Sequence, residues 1–195
     1  DDGDLAERIR DYHVTIKGTL QSGERYHSLN PETYWWAHAT FVYRVIYAQD
    51  LFGTPFTKAE RDQLVREGVT WWDKYGMSER PVIDNYDDLV AYMDDMVENV
   101  LERNETVDFA LRTARVEPVK APDGVPPRLW KIIWKPIMRS TIWLTIGTLP
   151  EKYRRILDLE WTSRDQKRFD RIAKAIRKVF TLPVSYTHLT LPTSD

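Results

Sequence analysis

Cysteine is absent from this chain of 195 residues. That excludes disulfides, thiolate-ligated zinc, iron–sulfur clusters and a thiol nucleophile together, and it is compatible with a reducing interior. Histidine is scarce, at four residues. No pair stands at the spacing of a zinc hydrolase, and no HExxH occurs. No serine lies in a GxSxG elbow. Net charge is nearly absent at −2, which gives no electrostatic reason to expect nucleic acid or a strongly acidic substrate as partner. The chain begins without methionine or a charged-then-apolar leader, which reads as no signal peptide and a cytoplasmic location. Internal repeats are missing, and strand-like stretches are nearly so.

What is abundant is aromatic: eight tryptophans and ten tyrosines. Such side chains fill cores, and they also line pockets for flat or greasy ligands. With 42% hydrophobic and 30% charged residues, the composition is that of a soluble globular chain with one respectable core. We therefore expect a single helical domain over residues 1–183. Residues 184–195, VSYTHLTLPTSD, are short, polar and aperiodic, resemble translated sequencing-adapter read-through, and are set aside together with His188.

Periodicity and punctuation predict an all-α fold of six to eight helices. Leu5 to Tyr12 read as the end of a polar helix with Leu5, Ile9 and Tyr12 on one face. The β-branched stretch after it, with the Ser22-Gly23 turn signal, predicts a short irregular hairpin near residues 14–26. Asn30 as cap and Pro31 in the first turn start a helix that Gly53 and Pro55 stop near Phe52. Thr57 and Glu60 form a capping box for a helix over Lys58 to Tyr75, with Leu64, Val65, Val69, Trp71 and Trp72 inward. A further helix is expected from Asp87 to Leu101, a short one over Val107 to Ala114, a loop over Val116 to Pro127, and a last amphipathic helix from Ser163 to Phe180. Between them, RLWKIIWKPIMRSTIWLTIG carries Lys131, Lys135 and Arg139 every four residues, with Trp130, Ile133, Trp134, Ile137 and Trp143 elsewhere on its surface. Pro136 should kink it. Its charges argue against a membrane span. A core helix with a solvated stripe and a helix making peripheral membrane contact through 128–147 are the two readings.

Three sets of residues could carry chemistry. His38 lies in an aromatic helix with Tyr34, Trp35, Phe41, Val42, Val45 and Ile46 at three-, four-, seven- and eight-residue spacings, an apolar and buried-looking face. Such a histidine is an axial haem ligand or a core residue bonded to a carbonyl. His13 is paired with it as a candidate, whereas His27 reads as a surface turn residue. Asp87, Asp88, Asp94, Asp95 and Glu98 form the second set. Asp94, Asp95 and Glu98 have the DDxxE spacing of Mg²⁺-dependent prenyl-diphosphate enzymes, and equally that of a solvated acidic face. A zinc hydrolase, the third, lacks its ligands.

The order of motifs resembles the MpaB-type oxygenase family, which includes the bacterial rubber oxygenases (latex clearing proteins). Arg10, Tyr12, His13, Ile16 and Gly18 are similar to its opening motif, with Tyr12 replacing a threonine. Tyr26, Ser28, Asn30 and Pro31 follow the Y-x-A-x-D-P element, and Trp36, His38, Ala39 and Thr40 match W-x-H-A-T without change. Tyr75-Gly76-Met77, Pro81 and Leu89 to Met93 resemble the middle; Leu149-Pro150, Arg154-Arg155, Leu159 and Trp161 resemble the late pattern. The collinear match spans Arg10 to Pro183. The resemblance implies a globin-like helical core, haem b as cofactor with iron held by His38, and oxidation of an isoprenoid or other lipid-like substrate, small or polymeric, with O₂ and an electron donor. Trp35, Tyr34, Phe41 and Val42 would contact the porphyrin. Arg10 and His13 fall where rubber oxygenases carry a distal arginine and lysine; His13 could tune O₂, act as a base, or close the site as a second iron ligand. That last role would make the domain a non-catalytic haem-binding or redox-sensing module.

Overall fold

The computed structural model of the chain describes residues 2–19, 23–78, 82–109 and 120–180. Among them the chain is helical apart from one two-stranded antiparallel sheet. In order these are α1 (Asp2–Asp11), β1 (Lys17–Thr19), β2 (Arg25–His27), α2 (Pro31–Phe52), α3 (Lys58–Asp73), α4 (Tyr86–Asp95) with a π-helical turn (Met96–Val100), α5 (105–109), α6 (Pro127–Gly147), α7 (Glu151–Ile156) and α8 (Ser163–Phe180). The hairpin pairs Lys17 with His27 and Thr19 with Arg25. The all-α expectation holds. Residues 110–119 and 184–195, on which part of a helix, part of a loop and the adapter-like tail were placed, lie outside the described residues, as do Ser22 and Pro81.

α2 is the central element. The Asn30 side chain accepts the N–H groups of Glu32 and Thr33, Pro31 occupies the first turn, and the Gly53 N–H returns to the Gln49 carbonyl at the far end. Its buried residues are Tyr34, Trp35, His38, Ala39, Tyr43 and Ile46. At 100° per residue this stripe centres on Trp35, Ala39 and Ile46, so His38 sits at its edge. Phe41 lies beyond that edge, Val45 falls on it between the angles of Tyr34 and His38 but further along the helix, and they are 64% and 59% exposed. The expectation that they share a buried face is thus corrected: α2 is packed by α3, α4 and α8, and the stripe those helices cover is narrower than its run of apolar residues.

α3 begins with the predicted capping box, Thr57 accepting from the Glu60 N–H and Glu60 from the Thr57 N–H. It buries Val65, Gly68 and Trp72, whereas Trp71 faces outward by nearly half its surface. α4 adds Leu89 and Met93, and the turn after it widens to π, closed by Leu101 N–H to the Met96 carbonyl at 2.7 Å. Val97 is buried four residues on from Met93, and Val100, at the end of the widened turn, is exposed. On α1 the core takes Ala6, and Leu5 and Tyr12 are exposed. Trp72, Ile46 and Leu89 are almost wholly removed from water, each worth about 1.5–3 kcal/mol.

A second aromatic cluster joins α6 to α8. Trp143, Trp161 and Phe169 meet at ring separations of 5.3 to 6.3 Å, and Phe52 of α2 reaches Phe169. The helix continues through Pro136; Trp134 is buried, and Ile137 points outward rather than filling the core. Arginines bind main-chain carbonyls of distant helix ends: Arg10 that of Tyr75, Arg44 that of Thr148, and Arg177 those of Asp50 and Leu51.

Gly147 ends α6 where a Cβ would stand 2.4 Å from the Phe169 ring and 2.9 Å from Trp161. Gly147→Ala is expected to destabilise the chain by about 1–3 kcal/mol through overpacking, read as a lower urea midpoint at unchanged slope. An unshifted midpoint would show that the α6–α8 seam yields freely.

Candidate functional site

Three histidines fall among the described residues, and their ring nitrogens are used differently. His27 accepts the Leu29 N–H at Nδ1, so its Nε2–H donates to the Val14 carbonyl, and both nitrogens are occupied in locking the hairpin. His13 bonds the Ile9 carbonyl through Nδ1 at 2.8 Å, which makes Nδ1 the donor and leaves the lone pair of the neutral ring on Nε2. His38 bonds the Gly68 carbonyl through Nε2 at 2.8 Å. A carbonyl only accepts, so Nε2 carries the proton and Nδ1 the lone pair. That Nδ1 is buried and has no hydrogen-bond partner.

The partner carbonyl comes from the middle of α3 because Gly68 lets α2 approach. A Cβ there would stand 2.7 Å from Val42 Cγ2. Glycine inside a helix costs about 1 kcal/mol relative to alanine, and here close packing is the compensation. Val42 is thus part of the α2–α3 contact rather than of an open pocket wall.

Around His38 the rings of Trp35, Trp71, Trp72 and Tyr75 stand 5.2 to 5.7 Å away. The series continues from Tyr75 to Tyr34 at 5.3 Å and from Tyr34 to His13 at 5.3 Å, both edge-on. Arg10 donates to the Tyr75 carbonyl at 2.9 Å while its other nitrogens hold Asp11. Of the sequence-predicted residues, Arg10, His13, Tyr34, Trp35 and His38 are therefore gathered into one cluster, with Val42 behind it and Phe41 outside it on the surface. Trp71, Trp72, Tyr75 and Gly68 complete the cluster and were not picked out as site residues. Tyr75-Gly76 within the family-like middle was the available signal for one of them.

Electrostatically the cluster favours neutral groups. Burial pushes the His38 imidazole below its ordinary 6.5, opposed in part by the Gly68 carbonyl. Tyr75 is pushed up to about 12 by burial and by Tyr34 beside it, so it remains a hydroxyl. Burial also raises Tyr34, against the pull of Arg10. A second buried polar atom, Trp35 Nε1, has no partner either. Each such orphan costs about 1–3 kcal/mol, and a site for a ligand is a standard reason for one to persist.

The acidic set does not converge. Asp94 pairs with Lys152, Asp95 accepts from Asn99, Asp87 from Lys58, and Asp88 from Asn85. Among the described residues no group of three or more histidines and carboxylates is arranged to hold a metal ion.

A family model described as the ER-bound oxygenase mpaB/B'/rubber oxygenase catalytic domain matches residues 1–178. The chain belongs to that family. No curated protein and no solved structure matches it. Membership suggests oxygenase chemistry as the class of reaction for this chain. Among the described residues no helix is long and apolar enough to cross a membrane.

Two predictions follow from the packing and the charge state of His38. Gly68→Ala should destabilise the chain by about 1–3 kcal/mol despite alanine's helix propensity, and Val42→Ala in the same molecule should recover most of that loss. Additive losses in the double-mutant cycle would mean that Val42 is not what Gly68 accommodates. In the ligand-free chain, the unfolded state takes up a proton on His38 before the native state does as pH falls through 6.5. The native state is thus fully favoured above that pH and loses stability below it, by at most about 1.4 kcal/mol per pH unit. His38→Gln should lack this component, so stability curves of wild type and variant that run parallel on both sides of 6.5 would refute it.

Proposed function

We propose that the domain is a haem b-dependent oxygenase in which His38 holds the iron, and that it oxidises an isoprenoid or similarly apolar substrate. The observation that carries this reading is the buried, unpartnered lone pair on His38, with the other ring nitrogen fixed by a main-chain carbonyl. That is the state of a metal-ligating histidine, whose second nitrogen commonly donates to a carbonyl that sets tautomer and orientation. The donor chemistry therefore fits the group. Trp35, Tyr34, Trp72 and Tyr75 supply an aromatic wall suited to a flat macrocycle. The ring is enclosed by its neighbours, and the half-exposed Trp71 is the wall through which the ligand would be admitted.

Bound haem would supply O₂ binding and the redox chemistry, with electrons from an external donor. The protein's share is different. Gly68 keeps Nδ1 of His38 free of a proton, and the buried cluster keeps the imidazole neutral and excludes water. His13 presents Nε2 as a proton acceptor, held in place by Ile9 and by the edge of Tyr34. Arg10 anchors the end of α1 to the Tyr75 carbonyl and fixes where His13 stands. A substrate without charge or strong hydrogen-bonding groups suits an aromatic enclosure in which Tyr34, Tyr75 and His38 are biased to their neutral forms.

Haem titration of the full chain, followed by the Soret band and by native mass spectrometry, tests this. His38→Ala should weaken haem binding by more than about 100-fold, since loss of an outer-shell partner alone costs 10–100-fold. An unchanged Soret band in His38→Ala, or no stoichiometric haem uptake by wild type, overturns the proposal. The spin state separates turnover from sensing: high-spin iron leaves a position for O₂, whereas low-spin iron that becomes high-spin in His13→Ala makes His13 the second ligand.

A further inference from the structure

Charge is divided along the chain in a way that its small net value conceals. Residues 127–180 contain 14 Lys and Arg against 5 Asp and Glu, while residues 1–126 contain 14 against 24. Within the basic part, α6 has no acidic residue and carries Arg128, Lys131, Lys135 and Arg139, all exposed. Helical geometry gathers these four into an arc of about 80°. Beside that arc Leu129, Ile132, Pro136, Ile137 and Leu144 are exposed, with Ile132 at 74%. Single exposed apolar residues are ordinary, but five on one flank of a cationic stripe are an organised face.

The two flanks have different demands. A nucleic acid would use the cations and leave the apolar flank in water; a protein partner with an apolar surface would bury that flank and leave the cations unneutralised. An anionic bilayer satisfies both, taking the cations at its headgroups and the apolar side chains at the acyl boundary. Lys135 and Arg139 also border a cleft of about 520 Å³ whose other lining residues, Glu160 apart, are apolar or aromatic, among them Trp134, Trp143 and Trp161. α6 is not apolar enough to cross a membrane, so any bilayer contact it makes lies in the plane of the interface.

We propose that α6 seats the domain on an anionic lipid bilayer, its Arg128–Arg139 stripe against the headgroups and its Leu129–Leu144 flank in the interface. The inference concerns the outer face of α6 alone and stands apart from the haem reading. Co-sedimentation of the full chain with phosphatidylcholine vesicles, with and without phosphatidylglycerol, provides the test. Binding is expected to the anionic vesicles, weakening as salt is raised. Each cation contributes about fivefold to partition, so Lys131→Glu with Lys135→Glu and Arg139→Glu should lower binding by at least about 100-fold. Ile132→Glu, at an outward position, should weaken binding and leave the thermal melt unchanged; it decides the matter if the triple variant does not fold. Failure of wild type to sediment with anionic vesicles overturns the proposal. So does equal sedimentation of wild type and Ile132→Glu, binding of duplex DNA in place of vesicles, or a dimer that Ile132→Glu dissolves without any vesicle binding.

Discussion

The hydrogen bond from His38 to the carbonyl of Gly68 is made where α2 and α3 come closer than two ordinary side chains allow. Gly68 has no Cβ to meet Val42, and that missing atom sets the helix separation, brings a mid-helix carbonyl within reach of the imidazole, and folds Trp71, Trp72 and Tyr75 over it. A larger residue at 68 would move a backbone acceptor, and with it the choice of which histidine nitrogen carries the proton. Packing and acid–base state are here the same constraint, because the tautomer of a buried ring follows whichever hydrogen bond its surroundings can offer.

Much of the frame was legible from sequence. Asn30-Pro31, the Thr57–Glu60 box, Gly53 and the Ser163 start each act within one turn of the chain, so local chemistry alone decides them. The gathering of Arg10, His13 and His38 was legible as an order of motifs. What escaped was the width of the buried stripe. Phe41, Val45, Trp71 and Ile137 are apolar at helical spacing and nevertheless face outward, because periodicity says that a face is apolar and not whether a neighbour covers it. Gly68 escaped for the complementary reason: a lone glycine in a helix reads as a cost, and its use lies in Val42, which is distant in sequence. The DDxxE spacing fitted a solvated acidic face equally well, and Asp94 and Asp95 are held by Lys152 and Asn99, residues the pattern does not mention.

The polar atoms left over say more about the site than those satisfied. His27 shows that this chain can use both nitrogens of a histidine when the ring's task is to hold a turn. At His38 and Trp35, both buried in the core, an acceptor and a donor go without. Each is a buried polar group whose desolvation no hydrogen bond within the described residues offsets.

The three arginines that reach across the fold have a consequence for how the molecule comes together. Arg10, Arg44 and Arg177 grip carbonyls that lie 65, 104 and 126 or 127 residues away. Contacts of such separation carry the largest loop-closure cost and form after local helix structure is in place. α2 thus receives from α8 the guanidinium that closes its carboxyl end, a contact that local helix formation alone does not supply. The carboxyl end of the helix that bears His38 is therefore closed by a residue from the far side of the sequence.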